Sequence, residues 1–458
     1  MQNNALKKRF DYMTQTPVDR LICSLAVPTI ISMMVTNLYN MADTFFVGKI
    51  STQATAAVGI VLSLMNFIQA IGFFCGHGSA NYVSRKLGAG DLKSAQEMAS
   101  TGFALAFILG SIILTAGILN LKALSIMLGA TETIINDTQD YMRIILYGTP
   151  FMTSQLVLNN QLRFQGSAVY AMIGLVSGAV LNIFLDPVLI FVFKMGVSGA
   201  AVATIMSQII SFVILFIGTR SGPNIHINYK NIKFNAHYIL QIFNGGAPSL
   251  FRNGLISISG IFLNRMAGFF GGDAAIAGMS VVNRVMLFAN SALIGFGQGF
   301  QPVCSYNYGA QLHGRVKSGY KFCVKYGTIF LICVAVISFI FAEKIIYFFR
   351  DDTDVIIIGS TALRWQMLTM PINAFSVMSN MLLQSIGKGV RASITASTRS
   401  GLFFIPSIYI LSNLYGLTGV ETAQSCADVL SLLLTIPLTY SVWRGMNNKL
   451  TLAQNNLS

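Results

Sequence analysis

The stretch "RIILYGTPFMTSQLVLNNQLRFQG", residues 143–166, has a counterpart in "RWQMLTMPINAFSVMSNMLLQSIG", residues 364–387. Aligned without a gap, the two stretches match at four positions, each 221 residues apart: Arg143 and Arg364, Pro150 and Pro371, Asn159 and Asn380, Gly166 and Gly387. Further matches flank this window, because "AVPTI" around Pro28 corresponds to "GAPSL" around Pro248, and "KLGAGDLKSA" resembles "NYGAQLHGRVKSG". The chain is therefore predicted to consist of two similar halves.

The composition places both halves in a membrane. Of the 458 residues, 54% are hydrophobic and only 10% are charged, with a mean hydropathy of +0.64, whereas a soluble domain carries about 25% charged residues. The first 20 residues are polar and basic, and we predict no signal peptide there. The six cysteines form no C-x-x-C pair, so neither a disulfide nor a cysteine metal site is predicted.

Segments of about 20 apolar residues are long enough to cross a bilayer as a helix. We predict an all-α polytopic membrane protein with twelve such segments, spans 1 to 12: 21–47, 54–82, 95–119, 137–160, 169–193, 198–219, 238–266, 274–305, 319–341, 354–385, 392–413 and 417–442.

The net charge of +14 reports the orientation of the chain in the membrane. Twenty Lys and Arg residues fall at the termini and in the even-to-odd loops, and six fall in the odd-to-even connections. The positive-inside rule then places both termini in the cytoplasm. The same distribution argues against nucleic acid as a partner.

Six spans per half is an even number, so both halves cross the membrane in the same direction. A parallel repeat of this kind is typical of transporters whose halves enclose a central cavity; a duplication without a cavity is the alternative. The predicted organisation is an N-terminal segment (1–20), an N-terminal six-helix lobe (21–219), a linker (220–237), a C-terminal six-helix lobe (238–443) and a tail (444–458).

Span 5 contains "LNIFLDPVLIFVF", residues 181–193, in which Asp186 and Pro187 interrupt an apolar run. A carboxylate in hydrocarbon is expensive, and a proline frees a backbone carbonyl and permits a bend. From the topology, Asp186 lies roughly 12 Å and Asp43 of span 1 roughly 9 Å below the outer surface. Thr204 of span 6 lies at a similar depth. These residues are predicted to converge in the outer half of the first lobe.

Two amides accompany these acids, since Asn182 and Asn40 each lie about one helical turn before an aspartate. Oxygen ligands of this kind suit a small hard cation or a shared proton. Two other readings stay open: Asp43 could reach water at the interface, and Asp186 could pair structurally with a basic residue. No basic residue lies at a matching depth in spans 1 to 6.

The second half lacks the acids, because Asp43 aligns with Asn264 and Asp186 with residues 405–407. It offers other polar residues as cavity or gate candidates, together with two from span 4: Arg252, Arg284, Asp428, Asn159 and Gln161. We expect Asp428 to pair with Arg252 or Arg284 and hold helices together; a gate or second ligand-contact zone is the alternative.

Four motifs resemble the multidrug and toxic compound extrusion (MATE) family, and the likeness extends over nearly the whole chain: "AVPTIISMMVTNLYNMADTFFVG", "GSANYVSRKLGAGD", "LNIFLDPVLIF" and "GVSGAAVATIMSQ". The third is most similar to the bacterial branch with MepA-like and DinF-like transporters. The resemblance implies twelve helices in two six-helix bundles around a V-shaped cavity. It also implies export of organic cations against inward protons or sodium ions.

The resemblance further implies a cation-coupling site, with Na⁺ as one candidate ion, at Asp43, Asn182, Asp186 and Thr204. The acids that another branch uses in spans 7 and 10 are absent here. Pro28 and Pro187 are expected to act as helix hinges.

We therefore expect a monomeric multidrug antiporter in a bacterial cytoplasmic membrane. It would work by alternating access, with H⁺ or Na⁺ as the coupling ion and no cofactor. A flippase of lipid-linked saccharides is the main alternative, favoured by basic cavity walls. An enzyme is disfavoured because the four histidines are scattered without a catalytic motif. A receptor or scaffold would not require paired acids at depth.

Overall fold

The computed structural model describes the backbone of residues 2–455 and the side chains of residues 4–448. The described residues form helices and connecting loops, without a strand. Residues 456–458 of the predicted tail lie outside the described residues, and the rest of the tail continues the last helix.

The first half of the structure contains six long helices and two short ones. The short helices are α1 (Gln2–Gln15), which precedes the first span, and α5 (Leu121–Met127). The long helices are α2 (Val18–Gly48), α3 (Thr52–Gly88), α4 (Leu92–Leu119), α6 (Ile135–Phe164), α7 (Ala168–Pro187) and α8 (Gly196–Thr219). A π-helical turn, Val188–Val192, extends α7 directly after Pro187.

The second half begins after a short 3₁₀ turn, Tyr229–Asn231. Its helices are α9 (Ala236–Gly309), α10 (His313–Ile340), α11 (Ala342–Phe349), α12 (Thr353–Thr369), α13 (Ile372–Ser385), α14 (Gly389–Ser397), α15 (Phe404–Tyr415) and α16 (Leu417–Asn455). A π-helical segment, Thr398–Leu402, joins α14 to α15.

Each of the twelve predicted spans corresponds to a helical segment. Helix α9 counts as two, because Gly272 interrupts it at a φ of 63°, a conformation that favours glycine. Helices α12 and α13 form one span bent by 57° before Pro371. By length and composition, eight helices in the described residues could cross a membrane, or nine if that bent pair is one span. The prediction of an all-α protein with twelve membrane helices is confirmed.

The internal repeat is visible in the local geometry. Gly90 and Gln311, 221 residues apart, end equivalent helices and both adopt positive φ values, 77° and 60°. In the first half the next residue, Asp91, caps α4 by accepting a hydrogen bond from the Ser94 backbone. Hydrogen bonds from Ser94 and Lys86 lower the pKa of Asp91 to about 2. The two helix ends are therefore equivalent at the 221-residue spacing of the repeat.

The halves meet through helices α3 and α9. A Cβ atom on Gly88 would lie 2.0 Å from the carbonyl oxygen of Tyr306, and one on Gly309 would lie 2.0 Å from that of Arg85. These two contacts are related by the same 221-residue spacing. Only glycine permits such a close approach of two backbones. We call the part of the molecule around this contact the terminal end, because α1 packs beside it.

Helix α1 joins both halves at the terminal end. Arg9 donates hydrogen bonds to the carbonyl of Gln165 and to Oδ1 of Asn224 in the first half and the connection after it. Nδ2 of Asn307 in the second half donates to the carbonyl of Met13 over 3.1 Å. Sequence analysis assigned no structure to this polar segment, which the structure folds into a bridging helix.

Interlobe contact along α2 continues away from this end through Gly299 and Gly295, which pack against Ala26 and Ile30. Among the described residues, the interlobe hydrogen bond of α2 that lies farthest from the terminal end joins Asn37 Nδ2 to Ser291 Oγ, at 3.0 Å. Asp43, the acidic residue of span 1, lies beyond this point, at what we call the distal end.

Candidate cation and substrate site

Helices α2, α7 and α8 bring four polar residues together at the distal end of the first half. Asp43, Asn182, Asp186 and Thr204 are 7%, 1%, 0% and 2% exposed. Nδ2 of Asn182 donates to Oδ1 of Asp186 over 3.4 Å, as the one-turn spacing on α7 permits. The carboxyl groups of Asp43 and Asp186 also interact electrostatically with each other. The structure thus places these four predicted residues side by side.

Three oxygen atoms of this cluster have unused hydrogen-bonding capacity. Oδ1 of Asp43, Oδ2 of Asp186 and Oδ1 of Asn182 are buried without a hydrogen-bond partner in the described structure. Buried polar atoms are normally satisfied, so each unsatisfied one calls for an explanation. A proton or a small cation would satisfy these oxygens. The arrangement is capable of binding a cation between two acids.

Two tyrosines complete the surroundings of the acids. The phenol of Tyr39 is close enough to Asp43 and Asp186 to interact with both charges, and Gln208 approaches it from α8. The hydroxyl of Tyr141 lies towards Thr204 without a hydrogen bond of normal geometry in the described structure. Sequence analysis missed both residues. For Tyr39 a signal existed, since it precedes Asp43 by four residues and so shares its helix face.

Asn40 does not join the cluster. Its side chain is exposed, whereas Tyr39 beside it is buried. A separation of three residues rotates a side chain about 60° from Asp43, and one of four residues about 40° in the other direction. The expectation that Asn40 contributes to the site is not supported by its position.

A cavity that is partly open to solvent extends from this cluster through the first half. Asn182, Thr204 and Tyr39 line one end of it, and Arg163 and Gln298 line the other. Its wall follows α7 from Ala168 to Asn182, which is about 21 Å of helix. The wall between the two ends contains apolar side chains such as Met33, Met152, Met172, Leu156, Leu175 and Phe73. An elongated amphiphilic molecule fits this lining.

A guanidinium group occupies the end of the cavity away from the acids. Arg163 is 4% exposed and donates hydrogen bonds to Oε1 of Gln298 and to Oδ1 of Asn160. It also lies 3.3 Å from Nε2 of His77. Its Nε has no hydrogen-bond partner within the described residues.

From this arginine a chain of buried hydrogen bonds crosses to the second half. Nδ1 of His77 lies 3.1 Å from Oγ of Ser249, which accepts a hydrogen bond from Nε2 of Gln384. Oε1 of Gln384 accepts from Gln301 in turn. Sequence analysis treated His77 as isolated and did not select Arg163. The repeat carried a signal, because Arg163 aligns with Gln384 and His77 with Gln298 at a spacing of 221.

Of the two span 4 candidates, one lines the cavity and the other does not. Asn159 lines it and donates a 2.9 Å hydrogen bond to the carbonyl of Ala171. Gln161 is buried away from the cavity lining, where its Nε2 donates to Ser79 Oγ and to the carbonyl of Ala99. Gln161 therefore ties α6 to α3 and α4.

The expected pairing of Asp428 with Arg252 or Arg284 is wrong. Asp428 forms a 2.8 Å ion pair with Nε of Arg399, and Arg284 is exposed. Arg252 lies close enough to Arg163 for their positive charges to repel each other. Arg399 lies in the π-helical segment Thr398–Leu402. Hydropathy does not reveal such a turn.

The two proline positions differ in their local structure. Pro187 ends the regular part of α7 and is followed at once by the π-helical turn. Pro28 lies inside the continuous helix α2, where the Ser32 hydroxyl donates to the Pro28 carbonyl over 2.8 Å.

Comparisons with known proteins agree with the two-part organisation. The model of the MatE family matches residues 28–188 and again residues 248–410, so the same pattern covers each half once. A curated relative, the multidrug export protein MepA of Staphylococcus haemolyticus, is 27% identical over 97% of this chain and 98% of its own.

Solved structures have the same fold. A crystal structure of a MATE protein in complex with MaL6 covers 96% of this chain and 99% of its own, with a TM-score of 0.90 and 24% identity. An outward-facing multidrug resistance MATE transporter of the MOP superfamily covers 95% and 98%, with a TM-score of 0.89 and 24% identity.

Proposed function

This chain belongs to the MatE family of membrane transporters, and we propose that it exports lipophilic organic cations in exchange for inward H⁺ or Na⁺. The observation that carries the proposal is the pair of buried carboxyl groups, Asp43 and Asp186, with unsatisfied oxygens at one end of a large amphiphilic cavity. The similarity to the staphylococcal relative, a multidrug export protein, supports this substrate class.

The charge distribution orients the molecule in this proposal. The excess of Lys and Arg at the terminal end supports a cytoplasmic location for this end and both termini in a bacterial cell. The close packing of Gly88 and Gly309 then closes the cytoplasmic side. The structure would represent an outward-facing state, in which the acids receive ions from outside.

Ion binding is proposed to change the conformation of α7. A proton or Na⁺ at Asp186 and Asp43 removes the repulsion between their charges and satisfies the free oxygens. Pro187 has no backbone N–H and the π-helical turn follows it, so α7 can bend at this point. The bend narrows the cavity and expels the organic cation. Pro28 is the corresponding hinge proposed for α2.

Exchange also requires that the ion and the organic cation favour different states. A ligand that binds both states with equal affinity does not shift the equilibrium between them. The cavity and the acids share Tyr39, Asn182 and Thr204, which lie in both the cavity lining and the surroundings of the carboxylates. Occupancy of one site can thereby alter the shape of the other.

The lobes are proposed as residues 21–219 and 238–443, joined by the linker 220–237. The linker is fixed to the first lobe, since Nζ of Lys233 forms a 2.6 Å ion pair with Glu97 and the Lys233 backbone donates to Thr101. A monomer is sufficient for this mechanism.

One observation favours a second candidate, a flippase for an amphiphile with an anionic lipid headgroup. Arg163 places a positive charge in the cavity wall, which a lipid phosphate would neutralise. Movement of such a lipid without an ion gradient would favour this function over efflux.

Transport in proteoliposomes tests the main proposal. Ethidium flux is measured with either a pH gradient or a sodium gradient imposed separately, on wild type and on Asp186→Asn. We expect one gradient to drive flux and the substitution to abolish it. The exposed acid Asp273 supplies the matched control Asp273→Asn. Wild-type flux that ignores both gradients, or survives in Asp186→Asn, would contradict the proposal.

A further inference from the structure

We propose that Arg163 binds an anionic group of the substrate, so that the cavity distinguishes amphiphiles that carry a carboxylate from those that do not. This inference rests on the proposed function and deepens it by naming a residue that determines specificity. It concerns the end of the cavity that faces away from Asp43 and Asp186.

Arg163 is a buried cation without a counter-ion. Among the residues that the structure describes there are four ion pairs, formed by Lys86, Lys233, Arg364 and Arg399, and Arg163 takes part in none of them. Its hydrogen-bonding neighbours Gln298, Asn160 and His77 carry amide or imidazole groups. Ionisable side chains at membrane depth are normally paired. An unpaired one that lines a cavity is a position for a ligand of opposite charge.

The guanidinium also has donors to spare. It carries five N–H groups, and the three neighbours occupy three of them at most. The Nε hydrogen is free within the described residues. A carboxylate is the natural partner, because arginine presents its donors in a planar fork that matches two oxygens.

The surrounding charges strengthen the preference for an anion. Arg252 in α9 is close enough to interact electrostatically with Arg163, and it adds a second positive charge. The acids lie at the opposite end of a cavity whose wall follows about 21 Å of α7. The two ends therefore have opposite polarity, with apolar side chains between them. A molecule with a carboxylate, an aromatic body and a cationic group matches this order.

A purely structural role for Arg163 is the competing explanation, since it links α6 to Gln298 in the second half. The two roles differ in what they predict for ligands. A structural role affects all substrates alike, whereas an anion site affects only ligands that carry the anion.

A matched pair of dyes separates these roles. Rhodamine 110 has a free carboxylate and is zwitterionic, and rhodamine 123 is its cationic methyl ester. Their dissociation constants are measured by fluorescence anisotropy with the full chain purified in detergent. The variants are Arg163→Gln, Arg163→Lys and the control Arg143→Gln, which changes an exposed arginine of the same helix.

We expect Arg163→Gln to weaken rhodamine 110 binding by about 10- to 100-fold, the loss expected for a charge-assisted hydrogen bond. Rhodamine 123 binding should change less than about threefold on the same scale. Arg163→Lys should recover part of the rhodamine 110 affinity, and Arg143→Gln should alter neither dye.

Three outcomes would overturn the inference. Arg163→Gln could lose affinity for both dyes equally, it could bind rhodamine 110 as wild type does, or wild type could bind rhodamine 123 alone. The last outcome leaves the proposed efflux function intact. Conversely, the anion site would stand if Arg163→Gln selectively weakened rhodamine 110 binding while wild type showed no gradient-driven ethidium flux. That result would defeat the proposed function alone.

Discussion

Arg163 and Gln384 occupy equivalent positions in the two halves, 221 residues apart, and Arg163 lines the cavity of the first half. Gln384 is fully buried and donates to Ser249 Oγ and the carbonyl of Gly245. The equivalence is supported one turn earlier, where Asn159 and Asn380 each donate to the carbonyl twelve residues later. The two halves share the same backbone arrangement here. They differ in that the first half has a charged arginine at the cavity where the second half has the amide of Gln384.

Asp43 and Asp186 are expected to act as one unit. Asp43→Asn and Asp186→Asn should each reduce ion-driven ethidium flux by at least about tenfold, and the double variant should lose no more than the worse single variant. The reason is that the pair shares one ion, so that losing either member disables both. Proteoliposome flux on the four proteins measures the coupling. Losses that multiply in the double variant would show that the acids work independently.

Pro187 should control the rate of the conformational change. In Pro187→Ala the restored N–H allows a regular helix through the π-helical turn, which opposes bending. The maximal transport rate should fall several-fold while the half-saturating ion concentration changes little. Pro406→Ala, in the second half and exposed, is the control. A changed ion requirement with an unaffected maximal rate would assign Pro187 to the ion site itself.

Gly88→Ala should loosen the terminal end, because the added Cβ would meet the Tyr306 carbonyl at 2.0 Å. Cys304 is buried close by and reports the opening. We expect maleimide labelling of Cys304, followed by mass spectrometry of its peptide, to become several-fold faster. The exposed Cys333 provides an internal standard. Gly254→Ala, at a position with open space around it, should leave Cys304 protected. Equal labelling in both variants would mean that this contact does not close the molecule.

Helix α1 should depend on Arg9 for its attachment. Arg9→Gln removes the charge from the hydrogen bonds to Gln165 and Asn224, and amide hydrogen exchange in residues 4–15 should accelerate about tenfold, as expected for the loss of about 1.4 kcal/mol. The neighbouring exposed residue gives the control Lys8→Gln. If exchange is unchanged in Arg9→Gln, the hydrogen bond from Asn307 to the Met13 carbonyl is sufficient to hold the helix.

The ion pair of Asp428 and Arg399 should stabilise the folded protein. Arg399→Met leaves the fully buried Asp428 carboxylate without its counter-ion and should lower the free energy of unfolding by about 3 kcal/mol. Adding Asp428→Asn should restore most of this loss. Melting temperatures in detergent provide the comparison.

Arg364→Met supplies the control for that comparison, since it breaks an exposed pair with Glu343 and should cost less than about 1 kcal/mol. A melting temperature for Arg399→Met no lower than that of Arg364→Met would contradict the assignment.

Much of the candidate site could be predicted because its chemistry is conspicuous in an apolar chain. Asp186 and Asp43 stand out against hydrocarbon, and the alternation of spans fixes their depth. The one-turn spacing was right for Asn182, four residues before Asp186, and failed for Asn40, because a step of three residues turns its side chain about 60° away from Asp43.

The residues that were missed carry weaker signals. Arg163 lies near the predicted end of span 4, where a basic residue is expected from topology alone. Arg399 lies in a π-helical turn that composition does not reveal. Tyr39 is one of 16 tyrosines, and its role follows only from the position of its ring beside two carboxylates.

The reciprocal contact of Gly88 with Tyr306 and of Gly309 with Arg85 is made by backbone atoms. Side chains can adjust their rotamers to follow a gradual separation of two helices, but a backbone cannot. The contact is consequently either made or lost, and its two equivalent parts are lost together when the helices part. Such an interface favours all-or-none switching of the molecule, with few partly open intermediates through which ions could leak.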